Sequence, residues 1–114
     1  MKVEIYSDVV CPWCFIGERR FGRALEASGR AHEVEVAFRP FQLDPRAPEA
    51  AVPLKEYLAT RYGPHSARML ARVSEAAEGE GIEFDWDRAK SVNTLTAHRL
   101  MRLAEREHGP GVQR

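Results

Sequence analysis

The amino-acid sequence predicts an α/β fold that begins with a βαβ unit and continues as a run of helices. Two short runs of alternating apolar and polar residues, typical of strands, lie about thirty residues apart, with a helix-length segment between them. From about residue 53 onward, apolar residues recur at helical spacing instead. Because a crossover helix normally joins parallel strands, the first two strands are expected to be parallel neighbours in one sheet.

The predicted βαβ unit occupies the N-terminal part of the chain. Val3 and Ile5 alternate with polar neighbours in the first strand, and residues 34–39 repeat the alternation in the second. The helix between them is expected over about residues 11–27, and Gly29 follows it at the position where a left-handed turn usually ends a helix. Two strands are few for a stable sheet, so either the fold unit is incomplete or another copy of the chain completes it.

The residues after the second strand predict a loop and then three helices. Prolines in residues 44–48 exclude a helix or a strand ladder, and Pro53 lies where the first turn of a helix tolerates proline. Asn93 is expected to cap the last helix, which residues 109–111, Gly-Pro-Gly, should end. The apolar residues at helical spacing are Leu54, Tyr57, Leu58 and Tyr62 in the first helix, Met69, Val73, Ala76 and Ala77 in the second, and Ala97, Leu100, Met101 and Ala104 in the third.

Composition and charge exclude several classes of protein. The 114 residues include 17 basic and 17 acidic side chains, which are interleaved, so no long-range field is expected to attract nucleic acid or anionic lipid. No apolar run approaches the roughly 18 residues that a membrane span needs, and the N-terminus does not resemble a signal peptide. The chain is therefore expected to be a cytoplasmic globular domain, in which two cysteines are more often reactive groups than a structural disulfide.

The candidate chemistry lies in the segment Cys11-Pro12-Trp13-Cys14, between the first predicted strand and the helix. At the helix N-terminus the Cys11 sulfur faces free backbone N–H groups and the positive end of the helix dipole, and both favour the thiolate. Because the thiolate is the attacking species, Cys11 is the candidate nucleophile. Cys14, one turn later, is expected to resolve a mixed disulfide formed by Cys11, while Pro12 and Trp13 tune the reactivity of the pair.

A zinc site and an inert buried pair are the alternatives for these two cysteines. Zinc normally takes four ligands, the sequence has no second cysteine pair, and His98 and His108 are too far apart for the usual pair of histidine ligands. Two cysteines at a strand-to-helix junction of an intracellular α/β chain more often form a redox motif. Neither a metal ion nor a cofactor is therefore expected.

The cysteine motif and its surroundings resemble a known family. Residues 7–17, Ser-Asp-Val-Val-Cys-Pro-Trp-Cys-Phe-Ile-Gly, are similar to the active-site segment of the DsbA-like thioredoxin family, in particular its cytoplasmic FrnE-like branch. The similarity continues through residues 39–45, Arg-Pro-Phe-Gln-Leu-Asp-Pro, and through residues 93–94 and 97–100. It implies a thioredoxin fold with a helical insertion after the second strand, and thiol–disulfide exchange with protein or small-molecule thiols and disulfides, glutathione among the candidates.

The resemblance also implies a domain division and further site residues. It divides the chain into a thioredoxin-like βαβ unit, residues 1–48, and a truncated helical insertion, residues 49–114. The later strands of the family, with the cis-proline that precedes the third strand, match nothing in the sequence, so the C-terminal strands are expected to be missing. Asn93 and His98 are implied to line a substrate groove across from Cys11, whereas helical spacing alone makes His98 a boundary residue of its helix.

Two features near the motif have both a structural and a functional interpretation. Asp8 could accept a proton, but a cap of the strand-to-helix turn by its carboxylate is favoured. The apolar side chains in residues 41–43 could form a peptide-binding lip, but closure of the core is favoured.

Two other functions compete with protein thiol–disulfide exchange. Glutathione-dependent transferases of the kappa class and hydroxychromene carboxylate isomerases share the implied fold, but they commonly have a hydroxyl residue in place of Cys11 and no cysteine pair, so Cys14 disfavours them. The chain could also be a non-catalytic fragment whose dithiol is incidental. Open strand edges predict pairing with another chain, for which a homodimer is the simplest form.

Overall fold

The computed structural model of the chain describes residues 1–109 and 111, and its elements confirm the α/β fold class. The chain begins with strand β1 (Lys2–Ser7), helix α1 (Pro12–Ser28) and strand β2 (Glu35–Pro40), in the order that the sequence predicts. A short 3-10 turn, Ala31–Glu33, joins α1 to β2. The proline of the predicted helix end at residues 109–111 lies outside the described residues.

β1 and β2 form a two-stranded parallel sheet, as the crossover helix predicts. Their register pairs Lys2 with Glu35 and Ser7 with Pro40. The pairing continues one bond further, where the Phe41 N–H donates to the Ser7 carbonyl at 3.2 Å. Because parallel strands end at the same edge of a sheet, the segments that follow β1 and β2 leave it side by side.

Helix α1 begins and ends close to the predicted positions. Cys11 is its N-cap residue, Pro12 lies in its first turn, and Gly29 follows it with a φ of 69°, where an L side chain would be strained. Ile16 is fully buried at 0% exposure, whereas the neighbouring Phe15 is 44% exposed. Ile16 therefore anchors the first turns of the helix, which carry both cysteines.

Ile16→Ala is expected to destabilise the fold by about 3 kcal/mol, because it deletes a buried side chain and leaves a cavity. Urea unfolding followed by circular dichroism measures the change. Gly17→Ala is the matched control in the same helix, since nothing lies within 4 Å of a Cβ added there. It should stabilise the fold by about 0.5–1 kcal/mol. Equal unfolding midpoints for the two variants would show that Ile16 is not an anchor.

The remaining elements follow the proline-rich loop. They are strand β3 (Val52–Pro53), helices α2 (Leu54–Tyr62) and α3 (Ser66–Glu78), strand β4 (Lys90–Ser91) and helix α4 (Leu95–His108). β3 and β4 pair antiparallel, two residues each. This ladder lies within the segment that the sequence predicts as helical, and it could not be predicted because a two-residue ladder between distant segments leaves no periodic pattern in the sequence. No described helix is both long and apolar enough to cross a membrane.

The chain forms two compact units, and the second interrupts the first in sequence. The first unit contains residues 1–45 and the described residues from 94 onward, and the second contains residues 46–93. Helix α4 therefore groups with β1, α1 and β2, whereas the predicted division after residue 48 groups it with the insertion; that division stays a prediction. The buried apolar residues are Ile16, Val36 and Ala37 in the first unit and Leu70, Val73, Ala77 and Ile82 in the second.

Two local expectations are wrong. The N-cap residue of α4 is Thr94 rather than Asn93, whose side-chain amide instead donates to the Ala47 carbonyl at 3.0 Å. Phe41 and Leu43 do not close the core, since they are 50% and 53% exposed. The partner of Asn93 is distant in sequence, and local patterns do not contain such a contact.

Candidate active site

The two cysteines lie at the N-terminus of α1, one helical turn apart. The Cys14 N–H donates to the Cys11 sulfur at 3.2 Å and to the Cys11 carbonyl at 3.1 Å. Both side chains are free thiols and partly buried. The strand-to-helix turn therefore holds one sulfur at a helix N-terminus with a second cysteine beside it, which suits exchange between a nucleophilic and a resolving thiol.

The surroundings of Cys11 act on its thiolate in opposite directions. The pKa of the Cys11 thiol is raised from its ordinary value of 9.0 to about 11, mainly by burial and then by the hydrogen bond with the Cys14 side chain. Backbone N–H groups of Cys14 and Trp13 lower the pKa, as the place at a helix N-terminus predicts. The expectation of a net stabilised thiolate is therefore wrong, because the loss of hydration outweighs these donors.

Asp8 is a buried carboxylate, 3% exposed, three residues before Cys11. Its main-chain carbonyl accepts the Cys11 N–H at 3.1 Å and so closes the strand-to-helix turn. The carboxylate has other partners: Oδ2 accepts the Leu43 N–H at 2.9 Å, and Oδ1 lies 3.0 Å from Nε2 of His98. The favoured expectation that the carboxylate caps the turn is therefore wrong. It joins the segment after β2 to helix α4 instead.

His98 is buried, at 5% exposure, and is not a boundary residue of its helix. Its Nε2 faces two oxygen atoms, Oδ1 of Asp8 at 3.0 Å and the Phe41 carbonyl at 3.1 Å. Because both oxygens are acceptors, Nε2 is assigned the proton, and Nδ1 is then the acceptor of the neutral ring. Asp8 and the Phe41 carbonyl thus fix both the position and the tautomer of the imidazole.

A pocket of about 230 Å³ opens beside the cysteines in the first unit. Cys11, Cys14, Asp8 and His98 all line it, so the structure brings four of the predicted site residues together. The pocket has room for a small thiol or for several water molecules, each of which takes about 30 Å³ in the liquid. Its other lining residues are Ser7, Val9, Phe15, Glu18, Phe38, Arg39, Pro40, Met101 and Arg102.

Two arginines that line the pocket, Arg39 and Arg102, belong to an ion-pair network that the sequence does not reveal. Arg39 donates to Glu105 at 3.0 Å and to Glu4 at 3.4 Å, and Arg102 donates to the second oxygen of Glu105 at 3.2 Å. The hydrogen bond with Glu105 raises the pKa of Arg39. Arg39 and Glu105 are 66 positions apart, a distance over which no pattern in the sequence links two residues.

The other predicted site residues lie in the motif itself or in the second unit. Pro12 occupies the first turn of α1, and Trp13 is 48% exposed. Asn93 belongs to the second unit, where its main-chain N–H donates to the Pro48 carbonyl at 2.9 Å. Its place in a groove across from Cys11 stays a prediction. Within residues 1–109 and 111, no group of three or more histidine, cysteine, aspartate or glutamate side chains is placed to hold a metal ion.

Comparison with known proteins identifies the family. Residues 2–114 match the DSBA-like thioredoxin domain, and the chain belongs to this family. A crystal structure described as a probable DsbA oxidoreductase, SCO1869 from Streptomyces coelicolor, is similar to it with a TM-score of 0.81 and 35% sequence identity. The match covers 94% of this chain and 47% of that one.

The chain is shorter than the relatives it matches. It is 40% identical over 45 residues to the uncharacterized protein YwbO of Bacillus subtilis (strain 168), a stretch that covers 40% of this chain and 20% of YwbO. It spans about half the length of the Streptomyces coelicolor protein. Membership of the DsbA-like family is confirmed by these matches, and the FrnE-like branch stays a prediction.

Proposed function

We propose that this chain catalyses thiol–disulfide exchange, with Cys11 as the nucleophile and Cys14 as the resolving thiol. The observation that carries the proposal is geometric: the two cysteines lie one turn apart at a helix N-terminus, and both line the same open pocket. Membership of the DSBA-like thioredoxin family supports the same reaction class.

The proposed reaction consists of two displacements at sulfur. The Cys11 thiolate attacks a substrate disulfide; a bond forms between Cys11 and one substrate sulfur, the substrate S–S bond breaks, and the departing thiolate takes up a proton. Cys14 then loses its proton and attacks the Cys11 sulfur, which releases the second substrate thiol. Two electrons pass from the dithiol to the substrate, and a Cys11–Cys14 disulfide remains.

Reduction of insulin tests this proposal. The chain, kept reduced by an excess of a small dithiol, should accelerate the precipitation of the released insulin B chain above the rate with the small dithiol alone. The rate should rise in proportion to the concentration of the chain. Precipitation no faster than in the absence of the chain would contradict the proposed function.

We further propose that polypeptides are the substrates, because apolar side chains are exposed around the cysteines. Val9, Trp13, Phe41 and Leu43 are 54%, 48%, 50% and 53% exposed. We call Phe41 and Leu43 the apolar lip. Main-chain hydrogen bonds hold this segment in place, so its side chains are free to contact an unfolded polypeptide, which presents apolar residues of its own.

The double variant Phe41→Ser, Leu43→Ser is expected to raise the KM for insulin about tenfold, because it removes apolar contact area at the site. Steady-state kinetics measure the change. The control is Leu100→Ser, Leu103→Ser on helix α4, whose side chains are 67% and 49% exposed and should leave the KM unchanged. An equal loss with a small aromatic disulfide would contradict a role of the apolar lip in binding polypeptides.

The remaining expectations stay predictions from the sequence. They are the cytoplasmic location, glutathione as a partner, and a homodimer.

A further inference from the structure

We propose that His98, held in place by Asp8, accepts the proton of Cys14 during the resolving step. The inference rests on the proposed thiol–disulfide exchange and assigns a base to it. A thiol must lose its proton before it attacks, so a base within the same pocket accelerates resolution.

The orientation of the imidazole is the first support. Nε2 of His98 donates towards Oδ1 of Asp8 at 3.0 Å and towards the Phe41 carbonyl at 3.1 Å. The neutral ring therefore has its free lone pair on Nδ1, which is the atom that can take a proton. A buried carboxylate at 1% side-chain exposure then stabilises the imidazolium that results.

The location of the ring is the second support. His98 lines the same pocket as Cys11 and Cys14, and the pocket, at about 230 Å³, is large enough to hold water molecules. Proton transfer through one water molecule is within the reach of a general base. Asp8 is a positioning residue in this scheme, because it acts on the thiols only through His98.

The proton follows a closed path in this step. His98 takes the proton of Cys14 as its thiolate attacks the Cys11 sulfur; the Cys11–substrate bond breaks, and the Cys11–Cys14 bond forms. The departing substrate thiolate then takes the proton from the imidazolium, which restores the neutral ring. No electron passes through His98, and no further reactant is required.

Other ionisable groups face the pocket and must be distinguished from His98. Arg39 and Arg102 are engaged by Glu105 and cannot accept a proton while charged. Glu18 on α1 is a carboxylate and the competing proton acceptor. Among residues 1–109 and 111, the ionisable lining residues besides His98 are Asp8, Cys11, Cys14, Glu18, Arg39 and Arg102.

The test uses the reduced full chain and one equivalent of the chromogenic disulfide dithiobis(nitrobenzoate), followed by stopped-flow absorbance. Attack by Cys11 releases the first coloured thiolate, and resolution by Cys14 releases the second in a unimolecular phase. The coloured product is a stable thiolate that needs no proton to leave. The second phase therefore depends on removal of the Cys14 proton and on its attack at the Cys11 sulfur, and not on protonation of the leaving group.

His98→Asn is expected to slow the second phase about a hundredfold near neutral pH, and to slow it by more than the first phase. The deficit should shrink as the pH rises, because hydroxide then ionises Cys14 without a base from the protein. Asp8→Asn should slow the second phase to a smaller extent, and it serves as the second variant if His98→Asn does not fold. The control is His108→Asn, at an exposed position of the same helix, which should behave as the wild type.

Four outcomes would overturn the assignment. An unchanged second phase in folded His98→Asn and Asp8→Asn excludes the base, and a deficit that is constant across pH shows a merely structural role. A slow second phase in Glu18→Gln, with a normal one in His98→Asn, assigns the proton to Glu18. A wild-type chain that never releases the second equivalent contradicts the proposed function as well, so the two failures are distinguishable.

Discussion

Cys11→Ser is expected to reduce insulin reduction at least a hundredfold, to the rate of the small dithiol alone, because a serine hydroxyl at this position cannot attack a disulfide. Cys14→Ser should retain the first attack and then stop. It should accumulate a Cys11–substrate disulfide, because no second thiol lies beside Cys11 to release the product. Insulin turbidity measures the loss of turnover, and intact mass under non-reducing conditions detects the trapped species.

The two variants test different parts of the proposal. Ser28→Ala, at the exposed end of the same helix, is the matched control and should retain wild-type turnover. If Cys14→Ser trapped no substrate and Cys11→Ser did, the roles of the cysteines would be reversed. If both variants retained turnover, the dithiol would not be the reacting group.

The alkylation rate of Cys11 is expected to increase about tenfold per pH unit from pH 7 to pH 10, about a thousandfold in all, because only the thiolate reacts. The rate increases with pH because the pKa of Cys11 is raised to about 11, mainly by burial. The thiolate is therefore scarce at neutral pH, and its fraction increases throughout this range. Iodoacetamide labelling of the reduced chain, with Cys11 and Cys14 distinguished by peptide mass, measures the rate. Circular dichroism confirms that the fold persists at each pH.

A lower pKa of Cys11 would give a different dependence of the alkylation rate on pH. A rate that levels off below pH 8 would show that the backbone N–H groups at the start of α1 outweigh burial, as the sequence alone predicts. An unfolded peptide with the same motif is the matched reference. Its cysteine, with an ordinary pKa, should reach its maximal rate at lower pH than Cys11 does in the folded chain.

The sequence predicts those parts of the site that depend on neighbours along the chain. Alternation and helical spacing predict β1, α1 and β2, and the place of Cys11 at the helix N-terminus follows from the order of these elements. The left-handed Gly29 after α1 is predicted by the same local logic. The family resemblance adds the reaction class, which the family match supports.

The parts that could not be predicted depend on contacts between distant residues. Asp8 meets Leu43 and His98 across 35 and 90 positions, and His98 meets Phe41 across 57. No periodicity relates residues at such separations, so the carboxylate could only be assigned to a local cap. The direction of the net pKa shift of Cys11 could not be predicted from the sequence either. Burial and backbone donors act on this pKa in opposite directions, and burial is known only once the chain is folded.

The short ladder of the second unit affects how the Asp8–His98 pair can assemble. β3 pairs with β4, and the Asn93 N–H donates to the Pro48 carbonyl at 2.9 Å. Hydrogen bonds therefore join residues near the two ends of this unit. The entropy lost on closing a loop grows with the logarithm of its free length. Once residues 46–93 have folded, few free residues therefore remain in the connection between β2 and α4, and the entropy lost on closing it is that of a short loop. An inserted unit of this kind lowers the entropic cost of bringing His98 to Asp8, 90 positions away in the sequence.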